Sequence, residues 1–159
     1  MKIFDCFMYF DEDLLLDLRL NCLDKFVDKF IIIECNYNHK GESKKSSFNK
    51  EKYKKFENKI EYILLKEQPE DIERINVNDN EIETNDKYIL NAVKRENFQR
   101  NYIKNCLSEA SENDWIIISD LDEIPNPEVI NNFKTQMRYL LFFQQYITTR
   151  FWLTTSQSN

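Results

Sequence analysis

The sequence predicts an α/β domain whose mostly parallel sheet is flanked by helices. Three observations carry that expectation. Short apolar runs rich in β-branched residues alternate with longer amphipathic stretches. The runs are continuous rather than alternating, as in Ile31-Ile32-Ile33 and Trp115-Ile116-Ile117-Ile118, and strands covered on both faces read this way. With 159 residues, 42% of them hydrophobic, the chain holds enough apolar side chain for one core and one domain.

Taken in order, residues 3–10 read as a first strand and residues 11–27 as a helix. Projected at 100° per residue, that helix gathers Leu15, Leu16, Cys22, Leu23 and Phe26 on one face, with Arg19 near its centre and Asp17, Asn21, Asp24 and Lys25 opposite. Residues 29–35 form a second strand, 48–58 a charged helix and 60–66 a third strand. Residues 68–87, rich in Asn, Asp and Glu, read as a mobile surface loop. Residues 88–111 form a long helix whose apolar face is Ile89, Ala92, Val93, Ile103, Leu107 and Ala110, with Glu96, Gln99 and Arg100 set inside it. Residues 114–119 are a fourth strand. Asn126 is a good N-cap and Pro127 suits a first helical position, so a helix is expected over 126–138, then a last strand over 139–146. Residues 147–159 are an unassigned tail.

Several function classes are excluded by counting. A single glycine, Gly41, rules out Gly-rich phosphate cradles, and a single histidine, His39, rules out paired-His zinc sites. A net charge of −6 is the wrong sign for coating a nucleic-acid backbone, so no nucleic-acid partner is expected. Cys6, Cys22, Cys35 and Cys106 show no CxxC pair and read as reduced thiols. No uncharged apolar run approaches the roughly 18 residues of a membrane span, and Asp5, Asp11, Glu12 and Asp13 interrupt the N-terminal apolar stretch that a signal peptide needs. A soluble cytoplasmic protein is the expectation.

The sharpest local feature is Asp120-Leu121-Asp122-Glu123-Ile124-Pro125, which follows the fourth strand directly. Ligands of open parallel sheets bind beyond the carboxyl ends of the strands. Asp120 and Asp122, two apart on extended backbone, point to one side and offer half of a hard-cation site, with a diphosphate able to supply other oxygens. The bland alternative is a strand end and a helix cap. Buried arginines need carboxylate or phosphate partners. Arg100 can pair with Glu96 at i, i+4 or line a pocket floored by the acidic cluster, and Arg19 is expected to brace the acidic loop from behind. Glu34 also ends a strand, and Asn36, Tyr37, Asn38 and His39 after it are suited to polar contacts with a ring or ribose.

Phe4-Asp5-Cys6-Phe7, Leu18-Arg19-Leu20-Asn21 and Phe30-Ile31-Ile32-Ile33-Glu34 with Asn36-Tyr37, His39 and Gly41 resemble glycosyltransferase family seventeen. So do Arg95-Glu96, Gln99-Arg100-Asn101 and Ile118-Ser119-Asp120-Leu121-Asp122-Glu123-Ile124-Pro125-Asn126-Pro127. These are the β-1,4-mannosyl-glycoprotein 4-β-N-acetylglucosaminyltransferase-like proteins, and the matches keep their order from residue 3 to about residue 130. The resemblance implies a GT-A-like, Rossmann-related nucleotide-sugar-binding domain over 1–146, with the C-terminal acceptor half shortened or missing. It implies inverting transfer of N-acetylglucosamine from UDP-GlcNAc to a glycan or glycoprotein acceptor. Asp120 and Asp122 would hold Mn²⁺ or Mg²⁺ against the diphosphate. Glu34, Asn36, Arg95, Glu96, Gln99, Arg100 and Asp120 would line or support the donor pocket, with Arg19 and Glu123 as structural support. Asn38 and Lys40 stand where the family pattern has small hydroxyl residues. Residues 124–159, where the acceptor half would begin, offer no convincing general base for the acceptor hydroxyl, and Glu128 more simply complements a helix dipole. A truncated, non-catalytic nucleotide-sugar-binding module is therefore the second reading, and a metal-dependent phosphohydrolase or nuclease the third.

Overall fold

The computed structural model describes residues 1–126 and, as backbone, residues 142–144 and 151–153. Four strands, β1 (Ile3–Tyr9), β2 (Lys29–Cys35), β3 (Ile60–Leu65) and β4 (Trp115–Ile118), form one all-parallel sheet in the order β3-β2-β1-β4. Helix α1 (Asp13–Leu23) connects β1 to β2, and α2 (Glu81–Tyr102), continued by a 3-10 turn at Ile103–Cys106, lies between β3 and β4 in sequence. A separate antiparallel pair joins β5 (Phe142–Gln144) to β6 (Phe151–Leu153).

Side chains alternate across each strand, and both faces of the two central strands are covered. Phe7, Tyr9, Phe30 and Ile32 pack toward Leu16, Leu20 and Leu23 of α1. Phe4, Cys6, Ile31 and Ile33 pack on the other face with Ile103 and Cys106. Burial of a Leu or Phe of this kind contributes roughly 1.5–3 kcal/mol. Asp5 shares the face of Phe7 and Tyr9, and it is completely buried in mid-strand.

The structure corrects several expectations. The strands at the sheet edges, β3 and β4, are only partly covered among the described residues, and Ile118 is 49% exposed. The charged segment 48–58 is not a helix. It turns through a single 3-10 turn, Lys54–Phe56, because Phe48 stacks on Tyr62 at 4.4 Å and on Tyr53 at 5.5 Å and the Ser47 and Phe48 N–H groups donate to Glu34. Helix α2 starts at Glu81 rather than residue 88. Asn80 caps it by accepting from the Glu83 N–H at 3.0 Å, while the Glu83 carboxylate accepts from the Asn80 N–H at 2.9 Å, the reciprocal capping box.

The expected inner face of α2 is also wrong in its first half. Ile89 is 65% exposed and Val93 also faces outward, whereas Asn91 and Arg95 are buried. The backbone tightens to 3-10 geometry at Ile103, which turns 120° per residue. Positions before and after Ile103 therefore do not share a face on a 100° projection. In α1, Leu16, Arg19, Leu20 and Leu23 are buried, while Cys22, expected on that face, is exposed. Of the helix expected over 126–138 only Asn126 lies within the described residues. Of the strand expected over 139–146, Phe142–Gln144 is described and is a strand, the remaining positions lying outside the described residues, and its partner β6 lies within the segment that sequence left unassigned. No helix among the described residues is long and apolar enough to cross a membrane.

Candidate functional site

The carboxyl ends of β1, β2 and β4 open into a cleft of about 380 Å³. Tyr9 and Phe10 line it from β1, Cys35, Tyr37, Asn38 and His39 from the end of β2, and Arg95, Glu96 and Gln99 from α2. Asp120, Leu121 and Asp122 line it after β4. Of the site residues singled out from sequence, Arg95, Glu96, Gln99, Asp120 and Asp122 come together here. Glu34, Asn36, Arg100, Arg19 and Glu123 stand outside the lining.

The acidic loop is held mainly by one guanidinium. Arg19, wholly buried in α1, forms a bidentate pair with Asp5 at 2.9 and 2.8 Å. Its remaining N–H groups donate to the main-chain oxygens of Asp120, Leu121 and Glu123 at 2.6, 3.1 and 3.2 Å and to Ser119 Oγ at 2.6 Å. The group also sits 4.6 Å from the centroid of the Phe7 ring. Buried charge is tolerable because every donor is satisfied. The Glu123 carboxylate turns back and accepts from the Asp120 N–H at 3.1 Å. It is thus committed to the loop's own backbone, leaving Asp120 and Asp122 facing the cleft.

Asp120 is half-exposed and accepts at Oδ1 from Arg100 Nη2 at 2.9 Å, and the same nitrogen donates to Glu96 at 3.0 Å. Asp122 is exposed. No group of three or more metal-ligating side chains is found among the described residues. The donor set nevertheless fits a hard cation in part: two carboxylates face one cleft, and such a cation takes its remaining oxygens from ligand and water.

The opposite wall is a braced loop. The Asn38 side chain accepts from the Lys40 and Glu42 N–H groups, both at 3.0 Å. Gly41 adopts φ +86°, and a Cβ there would run into the Arg95 guanidinium. Only glycine suits both demands. Arg95 donates to the His39 carbonyl at 2.9 Å and to Gln68 at 2.8 Å, and Gln99 donates to the Ile33 carbonyl at 2.7 Å. Helix α2 is thereby tied to both the loop and the end of β2.

Glu34 is fully buried. Its carboxylate accepts from Lys44 at 2.6 Å, Ser47 N–H at 2.7 Å, Tyr62 at 2.8 Å, and Ser46 and the Phe48 N–H at 3.2 Å. Burial pushes its pKa up, but these donors outweigh it and hold the carboxyl below its ordinary 4.5. Glu34 thus folds segment 44–48 instead of reaching the cleft. Asn36 acts through its main chain, which bonds to Leu65 and Lys44.

Sequence reasoning missed Phe10. Its ring stacks against His39 at 5.9 Å and lies 4.4 Å from the Lys44 ammonium. The signal was available, since Phe10 immediately follows the first strand at the end where ligands bind.

Among known protein families, the glycosyltransferase family 17 pattern matches residues 1–144. No curated protein and no solved structure matches the chain.

Proposed function

The chain belongs to glycosyltransferase family 17, and from that premise we propose that the cleft takes a UDP-sugar, UDP-GlcNAc in the first instance, and transfers N-acetylglucosamine with inversion to a glycan or glycoprotein acceptor. Asp120 and Asp122 would hold Mn²⁺ or Mg²⁺, which would supply positive charge against that developing on the departing diphosphate. Arg95 keeps the Asn38–Gly41 loop against α2, so the wall opposite the carboxylates is formed before the ligand arrives. Gln99 fixes the end of β2 beside it, and Glu96 holds Arg100 near Asp120. Glu34 and Asn36 support the pocket from the next layer, and Arg19 and Glu123 fix the acidic loop from behind. Such preorganisation removes reorganisation cost at the moment of reaction.

The observation that carries this reading is the meeting of Asp120 and Asp122 with Arg95 and Gln99 in one cleft at the carboxyl ends of parallel strands. The test is thermal stability with UDP-GlcNAc, in Mn²⁺ or in chelator. A ligand that binds only the folded chain raises its melting point. The native chain is expected to show a Mn²⁺-dependent rise of a few degrees. Asp122→Asn should melt as the native chain does without ligand, since its side chain is exposed, yet lose the rise. A Mn²⁺-dependent shift retained in that variant rejects the metal assignment.

A further inference from the structure

Arg100 differs from the other two arginines around the cleft in how little of it is used. Arg19 has every donor engaged, and Arg95 is pressed against Gly41 with Nε and Nη1 bonded. Arg100 is 39% exposed and places a single nitrogen, Nη2, between Glu96 and Asp120. Its Nε and Nη1 have no hydrogen-bond partner among the described residues. Asp120 Oδ1, the atom it holds, belongs to one of the two carboxylates that face the cleft.

We infer that Arg100 is a charge-exchange residue that couples cation binding to donor binding, an inference that rests on the reading of Asp120 and Asp122 as cation ligands. Without ligand, its guanidinium is the counter-charge of Asp120 and competes with a divalent cation for that carboxylate. When the cation takes Asp120, the arginine is released from the carboxylate, and its unused fork is free to grip a diphosphate oxygen, as a planar guanidinium does well. The cation and the diphosphate each strengthen the other's binding, and coupling of this kind is reciprocal. Glu96, four residues earlier on α2, keeps the guanidinium beside the site in both states.

The device makes a prediction of opposite signs. Arg100→Gln removes the competing charge, so Mn²⁺ alone should bind roughly three- to tenfold tighter, the size expected of one half-exposed charge at contact distance. The same variant should bind UDP in the presence of Mn²⁺ roughly tenfold weaker, because a charge-assisted bond to phosphate is gone. Mn²⁺ affinity is read by titration of the free-ion signal, with and without UDP, and UDP affinity by calorimetry. Arg100→Lys should restore the weaker binding of Mn²⁺ alone while leaving UDP affinity below that of the native chain.

An arginine with a merely structural role would move both affinities in one direction or neither, and either result overturns the inference while leaving the proposed donor site intact. A native chain that binds neither Mn²⁺ nor UDP overturns both. The melting point of the unliganded variant, expected to stay within a few degrees of native, excludes misfolding as the cause.

Discussion

Two arginines approach the same acidic loop from opposite sides, and they are built for different work. Arg19 comes from inside, wholly buried and bonded to Asp5, Ser119 and three main-chain carbonyls. Arg100 comes from the solvent side and touches the loop through one nitrogen on one carboxylate. The first holds the loop mainly by its backbone, through three carbonyls against one side chain, and therefore fixes shape. The second binds a side chain that a ligand also wants, and so sets charge. Burial separates the roles: a buried guanidinium must satisfy every donor in the folded chain, whereas a half-exposed one keeps donors in reserve at little cost.

The largest effect expected from that contrast is at the closed side. Arg19→Ala leaves Asp5 buried without its counter-charge and strips four partners from residues 119–123, so stability should fall by about 3–5 kcal/mol. Denaturant midpoints measure this. In whatever fraction of Arg19→Ala remains folded, affinity for UDP and Mn²⁺ should fall by less than stability does, because Arg19 shapes the acidic loop without lining the cleft. A variant as stable as the native chain but unable to bind UDP would erase the distinction between the two arginines.

How much of this was legible follows the same divide. The central strands were readable almost to the residue, since both faces are buried and their runs are apolar but for Asp5 in β1 and Lys29 and Glu34 at the ends of β2. The edge strands share the pattern without the burial. Arg19 could be placed on the inner face of α1 by spacing, but its partner could not. Asp5 reads in sequence as a defect in an apolar strand, and only the packing of α1 on the sheet identifies the pair. The acidic cluster and Arg95, Glu96 and Gln99 are visible as chemistry concentrated in short windows. Phe10 could be placed at the ligand end of β1, but it meets His39 and Lys44 only through tertiary contact across more than 25 residues of sequence, which nothing local marks.

A smaller effect should come from another buried charge, Glu34. Because its pKa is held below the ordinary 4.5, its contribution is fully present above that value and is lost as pH falls below it toward the folded pKa. Glu34→Gln should cost about 2 kcal/mol at pH 7, the scale of hydrogen bonds to a charged acceptor. The gap from the native chain should then narrow progressively as pH drops below 4.5. Denaturant midpoints taken from pH 7 to pH 3 test this directly. A constant gap across that range would show that the carboxylate's charge is not what folds segment 44–48. Loss of UDP binding without loss of stability would move Glu34 from the closed class to the open one.

The smallest effect expected lies at the far end of α2 and asks how far the closed side extends. The helix begins with Asn80 and Glu83 capping one another, yet its first three turns expose Ile82, Ile89 and Leu90. Lys87 pairs with Asp79 just before the helix at 2.6 Å, and the grip on more distant chain starts at Asn91, which bonds both the N–H and the carbonyl of Glu73 at 2.7 and 2.8 Å, and continues through Arg95 and Gln99. Asn80→Ala should therefore cost about 1 kcal/mol, the usual value of a lost N-cap, and fray only the first turns. The cleft should not register it, because the residues that line it from α2 are anchored downstream of the frayed segment. Equal UDP affinity in Asn80→Ala and native chain, alongside faster amide exchange confined to residues 81–88, is the expected result. A drop in UDP affinity with this variant would mean that α2 transmits the state of its exposed end to Arg95 and Arg100, and that the donor-facing side of the molecule is less independent of its scaffold than the two arginines indicate.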